Sequence, residues 1–125
     1  MLRLILLAGA GGFLGTVSRF LTTRYFAAMF PSSFPYGTFT VNILGSLIIG
    51  IIYGIAEKGN YFSSEWRLFL TVGFCGGFTT FSAFAAENIA MLRDAEYFNF
   101  FVYTGSSIFV GLLAVLLGIM LIKVL

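Results

Sequence analysis

Long stretches without a charged residue constrain this chain more than any other feature of its sequence. Residues 36–56, 68–86 and 97–122 contain no Asp, Glu, Lys or Arg. An α-helix needs roughly 20 mainly apolar residues to cross the hydrocarbon core of a membrane. In lipid the backbone amides must be satisfied within the chain, and a helix satisfies them within one segment. The sequence therefore predicts membrane-spanning helices at these three places.

A fourth span precedes these three, although its pattern is less regular. The apolar run of residues 4–17 is followed by Arg19 and Arg24 before the chain reaches Pro31. Residues 1–10 also resemble a secretory signal peptide, but the apolar pattern continues through residue 17, so we interpret the segment as a span. The chain is thus predicted to be an all-α integral membrane protein in one domain, with spans at about residues 2–30, 36–56, 68–92 and 97–122.

Composition supports lipid as the solvent and excludes several function classes. The chain is 59% hydrophobic and 10% charged, with a mean hydropathy of +1.00, whereas soluble domains carry about 25% charged residues. A net charge of +2 gives no basic surface for nucleic acid. Cys75 is the only cysteine and there is no histidine, which excludes Cys/His metal clusters and histidine-based catalysis. We predict that the chain is not an enzyme.

The balance of basic residues bears on orientation and assembly. With four spans, both termini and the middle loop share one side of the membrane. That side carries Arg3, Lys58, Arg67 and Lys123, and the other carries Arg19, Arg24 and Arg93. An excess of Lys and Arg normally marks the cytoplasmic side, and this small difference predicts insertion in either orientation. Because four short helices do not easily enclose a polar path alone, we predict a homodimer, with an antiparallel, dual-topology arrangement.

Small and polar residues recur along the spans. The pairs with G-x-x-x-G spacing, which lets helix backbones approach closely, are Gly11/Gly15, Gly50/Gly54 and Gly73/Gly77. Such pairs pack helices either within one chain or between two chains. Thr38, Asn42 and Ser46 share one face of the second span, and Tyr103 and Ser107 share one face of the fourth. These side chains suit either interhelical hydrogen bonds or a polar pathway.

The third span contains the most informative segment, Gly-Phe-Cys-Gly-Gly-Phe-Thr-Thr-Phe-Ser-Ala-Phe at residues 73–84. Its glycines and adjacent threonines predict a break in the helix at mid-membrane. A break frees backbone carbonyls, and those of residues 76–79 suit a cation such as sodium. Phe81 and Phe84 lie three residues apart beyond the break, and the positive edges of their rings can solvate a small anion.

These motifs resemble the Fluc (CrcB) family of fluoride channels, and the resemblance covers nearly the whole chain. Its carriers are Gly-Gly-Phe-Leu-Gly at residues 11–15 with Arg19, Gly37-Thr38, Val41-Asn42 with Gly45-Ser46, and the whole of residues 73–84. The resemblance implies an antiparallel homodimer with two pores, embedded in lipid in a bacterial inner membrane. Its implied function is passive export of cytoplasmic fluoride down the electrochemical gradient.

The resemblance also implies roles for individual residues. The pore and fluoride-binding residues would be Asn42, Phe81, Phe84, Thr38, Tyr103 and Ser107. The pore entrances would hold Arg19 and Glu87. A structural sodium ion at the dimer centre would be bound by the backbone carbonyls of Gly76 and Thr79. The polar track of the last span would continue at Gly111, which has no hydroxyl, so the sequence departs from the pattern there.

Two other functions are compatible with four short spans. A small dual-topology, proton-coupled exporter of the multidrug type needs a titratable carboxylate deep in the membrane. The first span has none, and Glu87 lies towards the end of the third. A non-transporting assembly factor would explain the small-residue faces, but it would not explain the break beside Phe81 and Phe84.

Overall fold

The computed structural model describes all 125 residues as helices joined by short connections, with no β-strand. The elements in chain order are α1 (Leu2–Met29), α2 (Tyr36–Lys58), α3 (Ser64–Leu68), a π-helical segment (Phe69–Cys75), α4 (Gly76–Phe78), α5 (Phe81–Arg93) and α6 (Tyr97–Val124). Elements α3 to α5 form one span, so four helical segments are long and apolar enough to cross a membrane. The predicted all-α, four-span fold is confirmed.

Prolines set the connection between the first two spans. Phe30, the residue after α1, has φ −130° and ψ 76°, because a residue that precedes proline avoids the helical region. Pro35 is the last residue before α2, where its missing N–H removes no helical hydrogen bond. A short connection, residues 30–35, therefore links α1 to α2.

The third span begins earlier than the charge-free run predicts. It starts at Ser64, and Ser63 caps it by accepting a hydrogen bond of 3.2 Å from the Trp66 N–H. Glu65 and Arg67 lie within the first helical turns. Their charges end the apolar run without ending the helix, since a helix end can extend beyond the hydrocarbon core into the headgroup region.

The glycine pairs are used for packing within the chain. The first span, α1, packs mainly against the π-helical segment and α4, while α2 packs mainly against α6. A Cβ added at Gly11 or Gly15 would overlap the backbone of the π-helical segment, and one at Gly73 would lie 2.9 Å from the Gly11 Cα. A Cβ at Gly50 or Gly54 would press on α6. All three pairs therefore pack helices against one another within the chain.

A single chain buries little of its own surface. Only 17 of the 125 residues are buried, and Val41 and Tyr103 are the largest side chains with no exposed surface. Large apolar side chains are exposed along all four spans. In a soluble protein this much apolar surface would drive aggregation, so it must be covered by lipid or by another chain.

Candidate functional site

The third span is interrupted at Thr79 and Thr80, as the sequence predicts. Both residues have extended backbones, with ψ values of 159° and 116°. The Thr79 N–H and hydroxyl both donate to the Cys75 carbonyl, at 3.0 and 2.8 Å, which closes the end of α4. The Thr80 hydroxyl accepts a hydrogen bond of 3.1 Å from the Ala83 N–H and caps α5. The Thr79 carbonyl accepts no hydrogen bond within the chain.

Asn42 of α2 bridges the interruption. Its amide nitrogen donates to the Thr80 carbonyl at 3.1 Å, and its amide oxygen accepts from the Thr80 N–H at 2.7 Å. The two bonds satisfy both backbone groups of the residue that leaves the helix. An asparagine amide carries two N–H donors, so one N–H of Asn42 stays available for another acceptor.

Arg19 of α1 contacts the same region from another element. Its Nε donates a hydrogen bond of 2.9 Å to the Gly77 carbonyl, and the side chain is part-buried. An arginine inside a span must face protein or water, and Arg19 meets this requirement by binding a carbonyl of α4. Arg19, which is predicted at a pore entrance, therefore binds the carbonyl of a residue that lies two positions before the break.

An open cleft of about 390 Å³ lies beside the interruption. Its lining comes from α2, from both sides of the break and from α6, namely Asn42, Gly45, Ser46, Ile49, Thr71, Cys75, Gly76, Thr79, Thr80, Phe81, Phe84, Ser107 and Ile108. The cleft thus brings together six of the residues predicted for the pore and the cation site. It holds no carboxylate, and its polar side chains carry hydroxyls, the Asn42 amide and the Cys75 thiol.

Ser107 is the one buried polar side chain that has no partner. Its Oγ is shielded from solvent and makes no hydrogen bond, although it lines the cleft. Most serines in membrane helices donate back to their own helix, as Ser106 does to the Val102 carbonyl. The Ser107 hydroxyl is therefore unpaired within the chain, and it must turn towards the cleft to meet a ligand there.

The predicted polar track beyond Ser107 contains a hydroxyl from another helix. A Cβ added at Gly111 would lie 3.8 Å from the Ser46 Oγ of α2. Ser46 itself donates a hydrogen bond of 2.7 Å to the Asn42 carbonyl. The missing hydroxyl of α6 at Gly111 is thus next to one supplied by α2.

A second polar cluster forms around Glu87 of α5. Its two carboxylate oxygens accept hydrogen bonds from the Thr38 hydroxyl at 2.7 Å and from the Tyr103 hydroxyl at 2.9 Å. Thr38 and Tyr103 are buried and belong to α2 and α6. The structure therefore unites three predicted residues in one hydrogen-bonded group that joins three spans.

Aromatic rings connect the cleft to this cluster. The rings of Phe81 and Phe84 lie 5.8 Å apart between centroids, and Phe84 lies 5.1 Å from the ring of Tyr103. Phe81 is 79% exposed in the single chain, whereas Phe84 is half-buried. Such centroid distances suit ring contacts in which edges approach faces.

Sequence reasoning missed Asn88, which supports the same region. Its amide donates a hydrogen bond of 3.0 Å to the Phe84 carbonyl and accepts one of 2.9 Å from the Thr104 hydroxyl. Asn88 is 7% exposed, and a buried amide within a span is itself a sign of a specific role. No local signal marks Asn88, because it follows Glu87 at the end of the charge-free run and its partner Thr104 is 16 residues away.

Comparison with known proteins gives a consistent result. Residues 6–119 match the family model described as CrcB-like protein, Camphor Resistance (CrcB). A "Fluoride-specific ion channel FluC" from Chlorobium luteolum is 48% identical over 119 residues, which are 95% of this chain and 92% of that protein. Proteins of the same name from Bacteroides fragilis and Leptospira interrogans are 52% and 39% identical, over 86% and 95% of this chain and 87% and 94% of those proteins.

Proposed function

The chain belongs to the CrcB-like family, and on that premise we propose that it conducts fluoride through the cleft beside the broken third span. It is a multi-pass membrane protein and a fluoride-specific ion channel, not an enzyme. The observation that carries the proposed site is the unpartnered hydroxyl of Ser107, a residue that lines a cleft without carboxylates.

The cleft offers donors that suit a small, strongly hydrated anion. Ser107 supplies an O–H, and Asn42 supplies the N–H that its two bonds to Thr80 leave available. Phe81 and Phe84 add ring edges, which carry partial positive charge. None of these groups bears a formal charge, so an ion bound there is also able to leave, as conduction requires.

The ring contacts from Phe81 through Phe84 to Tyr103 lead from the cleft to the Glu87 cluster. Thr38 and Tyr103 give their hydroxyl hydrogens to the carboxylate in this structure. For either hydroxyl to serve fluoride, it must turn from Glu87 to the ion. We therefore place Thr38 and Tyr103 in the pathway as donors that exchange between the carboxylate and fluoride.

We further propose that the functional unit is an antiparallel homodimer with two pores. The cleft is open on one side of the single chain and leaves Asn42, Thr79 and Thr80 half-buried. Polar backbone and side chains are not tolerated against lipid, but they are tolerated where protein or a water-filled cavity faces them. A second copy placed over this side would supply that cover, together with a surface for the exposed Phe81 ring.

A structural sodium ion fits the same arrangement. The Thr79 carbonyl has no hydrogen-bond partner, and Gly76 is exposed with no side chain to block its carbonyl. Carbonyls at unwound membrane helices are typical sodium ligands. We propose that Gly76 and Thr79 from both copies hold the ion, which would neutralise carbonyl dipoles that otherwise face each other.

The proton-coupled multidrug-type exporter is not favoured. The relatives reported above carry the name of a fluoride channel. In addition, the Glu87 carboxylate is hydrogen-bonded to two hydroxyls within the chain. We propose passive export of fluoride from the cytoplasm through the bacterial inner membrane.

The test is fluoride efflux from liposomes that contain the purified protein, followed with a fluoride electrode and with chloride as the matched control ion. Rapid release of fluoride down its gradient, with little chloride release, is the expected result. If folded, correctly inserted protein releases no more fluoride than empty liposomes, the proposed function is wrong.

A further inference from the structure

The connection between α1 and α2, residues 30–35, contacts α6 at two points one helical turn apart. The Asn99 amide donates a hydrogen bond of 3.1 Å to the Ser33 hydroxyl. The ring of Phe34 lies 5.4 Å from the ring of Tyr103, at 73° in an edge-to-face arrangement. Residues four apart share one face of a helix, so Asn99 and Tyr103 present a single surface to this connection.

The backbone at Phe34 is held by two local hydrogen bonds. Its N–H donates a hydrogen bond of 3.2 Å to the Ser32 hydroxyl, and its carbonyl accepts one of 2.9 Å from the Tyr36 N–H. Pro35 follows directly and restricts the Phe34 backbone further. The ring also contacts the ring of Tyr36 at 4.8 Å. Phe34 thus has defined partners for both its backbone and its ring, although it lies in a short connection.

Tyr103 is enclosed between this connection and the proposed pore. It has no exposed surface. One side of its ring meets Phe34, another meets Phe84 at 5.1 Å, and its hydroxyl reaches Glu87 at 2.9 Å. Removing the Phe34 ring would open space on one side of Tyr103, and interiors tolerate such space poorly because the lining loses its contacts.

We propose that Phe34 is a positioning residue for fluoride conduction, which keeps the Tyr103 ring against Phe84 and its hydroxyl at Glu87. The inference rests on the proposed function. Phe34 does not line the cleft, and the contact by which it would act is the one that its ring makes with Tyr103. Without it, the Tyr103 ring is free to turn, and both the ring contact at Phe84 and the donor at Glu87 become variable.

The experiment compares three variants in the liposome assay. Phe34→Leu removes the ring, and Phe34→Tyr keeps it, with room for the added hydroxyl in the pocket of about 300 Å³ that Phe34 lines. Phe69→Leu is the matched control, because the half-buried Phe69 ring makes a similar edge-to-face contact, with Trp66 at 5.6 Å, and lines neither the cleft nor this pocket. We expect fluoride efflux per folded protein to fall about threefold to tenfold in Phe34→Leu, as the worth of an aromatic pair suggests, and to stay near the wild-type rate in the other two.

A second measurement follows Tyr103 directly. With 3-fluorotyrosine incorporated, the ¹⁹F resonance of Tyr103 is assigned by its loss in Tyr103→Phe. We expect this resonance to move or broaden in Phe34→Leu and to stay unchanged in Phe69→Leu, whether or not the protein conducts. An unchanged resonance, or wild-type efflux in Phe34→Leu, overturns the positioning role and leaves the proposed function standing. Absence of efflux in the wild-type protein instead overturns the proposed function, and the role in conduction with it.

Discussion

Asn42 and Ser107 both line the cleft, yet their side chains meet different hydrogen-bonding demands. Asn42 satisfies the N–H and the carbonyl of Thr80, so its loss would leave two backbone groups unpaired in the membrane. Each such buried group costs about 1–3 kcal/mol. Ser107 satisfies nothing within the chain. Asn42 therefore stabilises the fold and also lines the proposed pathway, whereas the Ser107 hydroxyl contributes no hydrogen bond to the fold and would serve only the ion.

Ser107 gives the sharpest prediction at the level of one residue. Ser107→Ala removes no hydrogen bond from the folded chain, so the thermal midpoint in detergent should stay near that of the wild type. Fluoride would lose one donor, and a hydrogen bond to a charged group is worth about 1.5–3 kcal/mol. We expect fluoride efflux to fall by about tenfold or more, measured with the electrode at equal protein content.

Ser106→Ala is the control for this change, because the Ser106 hydroxyl donates to the carbonyl of Val102 in its own helix. It should leave efflux near the wild-type rate. Equal efflux in Ser107→Ala and Ser106→Ala would contradict the assignment of Ser107 as a fluoride donor.

Single residues also show where sequence reasoning ends. The position of Asn42 on a polar helix face follows from spacing, but its partner Thr80 is 38 residues away and has no local signal. The sequence indicates Glu87, Thr38 and Tyr103 as separate positions, and only the packing of three spans brings them together. The free hydroxyl of Ser107 depends on what surrounds it, which periodicity does not encode.

At the level of elements, the third span is the least regular part of the fold. The glycines and threonines of residues 73–80 predict its break, because glycine destabilises the interior of a helix relative to alanine. The π-helical turn at Phe69–Cys75 has no comparable signal in the sequence. Such turns often occur near functional sites, and this one ends where α4 leads into the break. The π-helical segment lies in close contact with α1, and helix propensity does not register a tertiary contact of this kind.

The contact between α1 and the third span supports a paired prediction. A Cβ at Gly15 would overlap the Phe74 carbonyl, whereas one at Gly9 has open space around it. Gly15→Ala should lower the thermal midpoint strongly or prevent recovery of folded protein, because backbone would have to move. Gly9→Ala should raise the midpoint slightly, since alanine is favoured over glycine in helices by about 1 kcal/mol.

The measurement is thermal unfolding of both variants in the same detergent, with wild-type protein as the reference. Because both changes lie in α1 and add the same methyl group, hydrophobicity and propensity cancel between them. Equal midpoints for Gly15→Ala and Gly9→Ala would show that α1 does not pack against the third span as described.

For the whole molecule, charge distribution bears on how the chain inserts. Arg19 is bound to the Gly77 carbonyl, so it does not act as a loop charge on the side that also carries Arg24 and Arg93. On the opposite side Arg3 pairs with Glu65 at 2.9 Å and Lys123 with Glu57 at 3.4 Å. Acidic residues contribute little to orientation, so these pairs do not cancel the excess of basic residues there. Insertion in both orientations therefore remains a prediction, which rests on the family resemblance more than on the charge count.

The last prediction concerns the assembly that would cover the cleft. If Gly76 and Thr79 of two copies hold one sodium ion, the ion binds the dimer and not the separate chain. A ligand of this kind stabilises the assembled state by about 2.7 kcal/mol at 100 times its dissociation constant. Exchanging sodium for N-methylglucamine should therefore lower the thermal midpoint and shift the mass measured by light scattering in detergent towards the monomer.

A dimer that is indifferent to this exchange would contradict the proposed cation site but not the proposed homodimer. A monomer in both buffers would leave the polar cleft facing lipid. That second outcome contradicts the requirement that polar groups in a membrane meet protein or water, so it would count against the homodimer and against the cleft as the pathway.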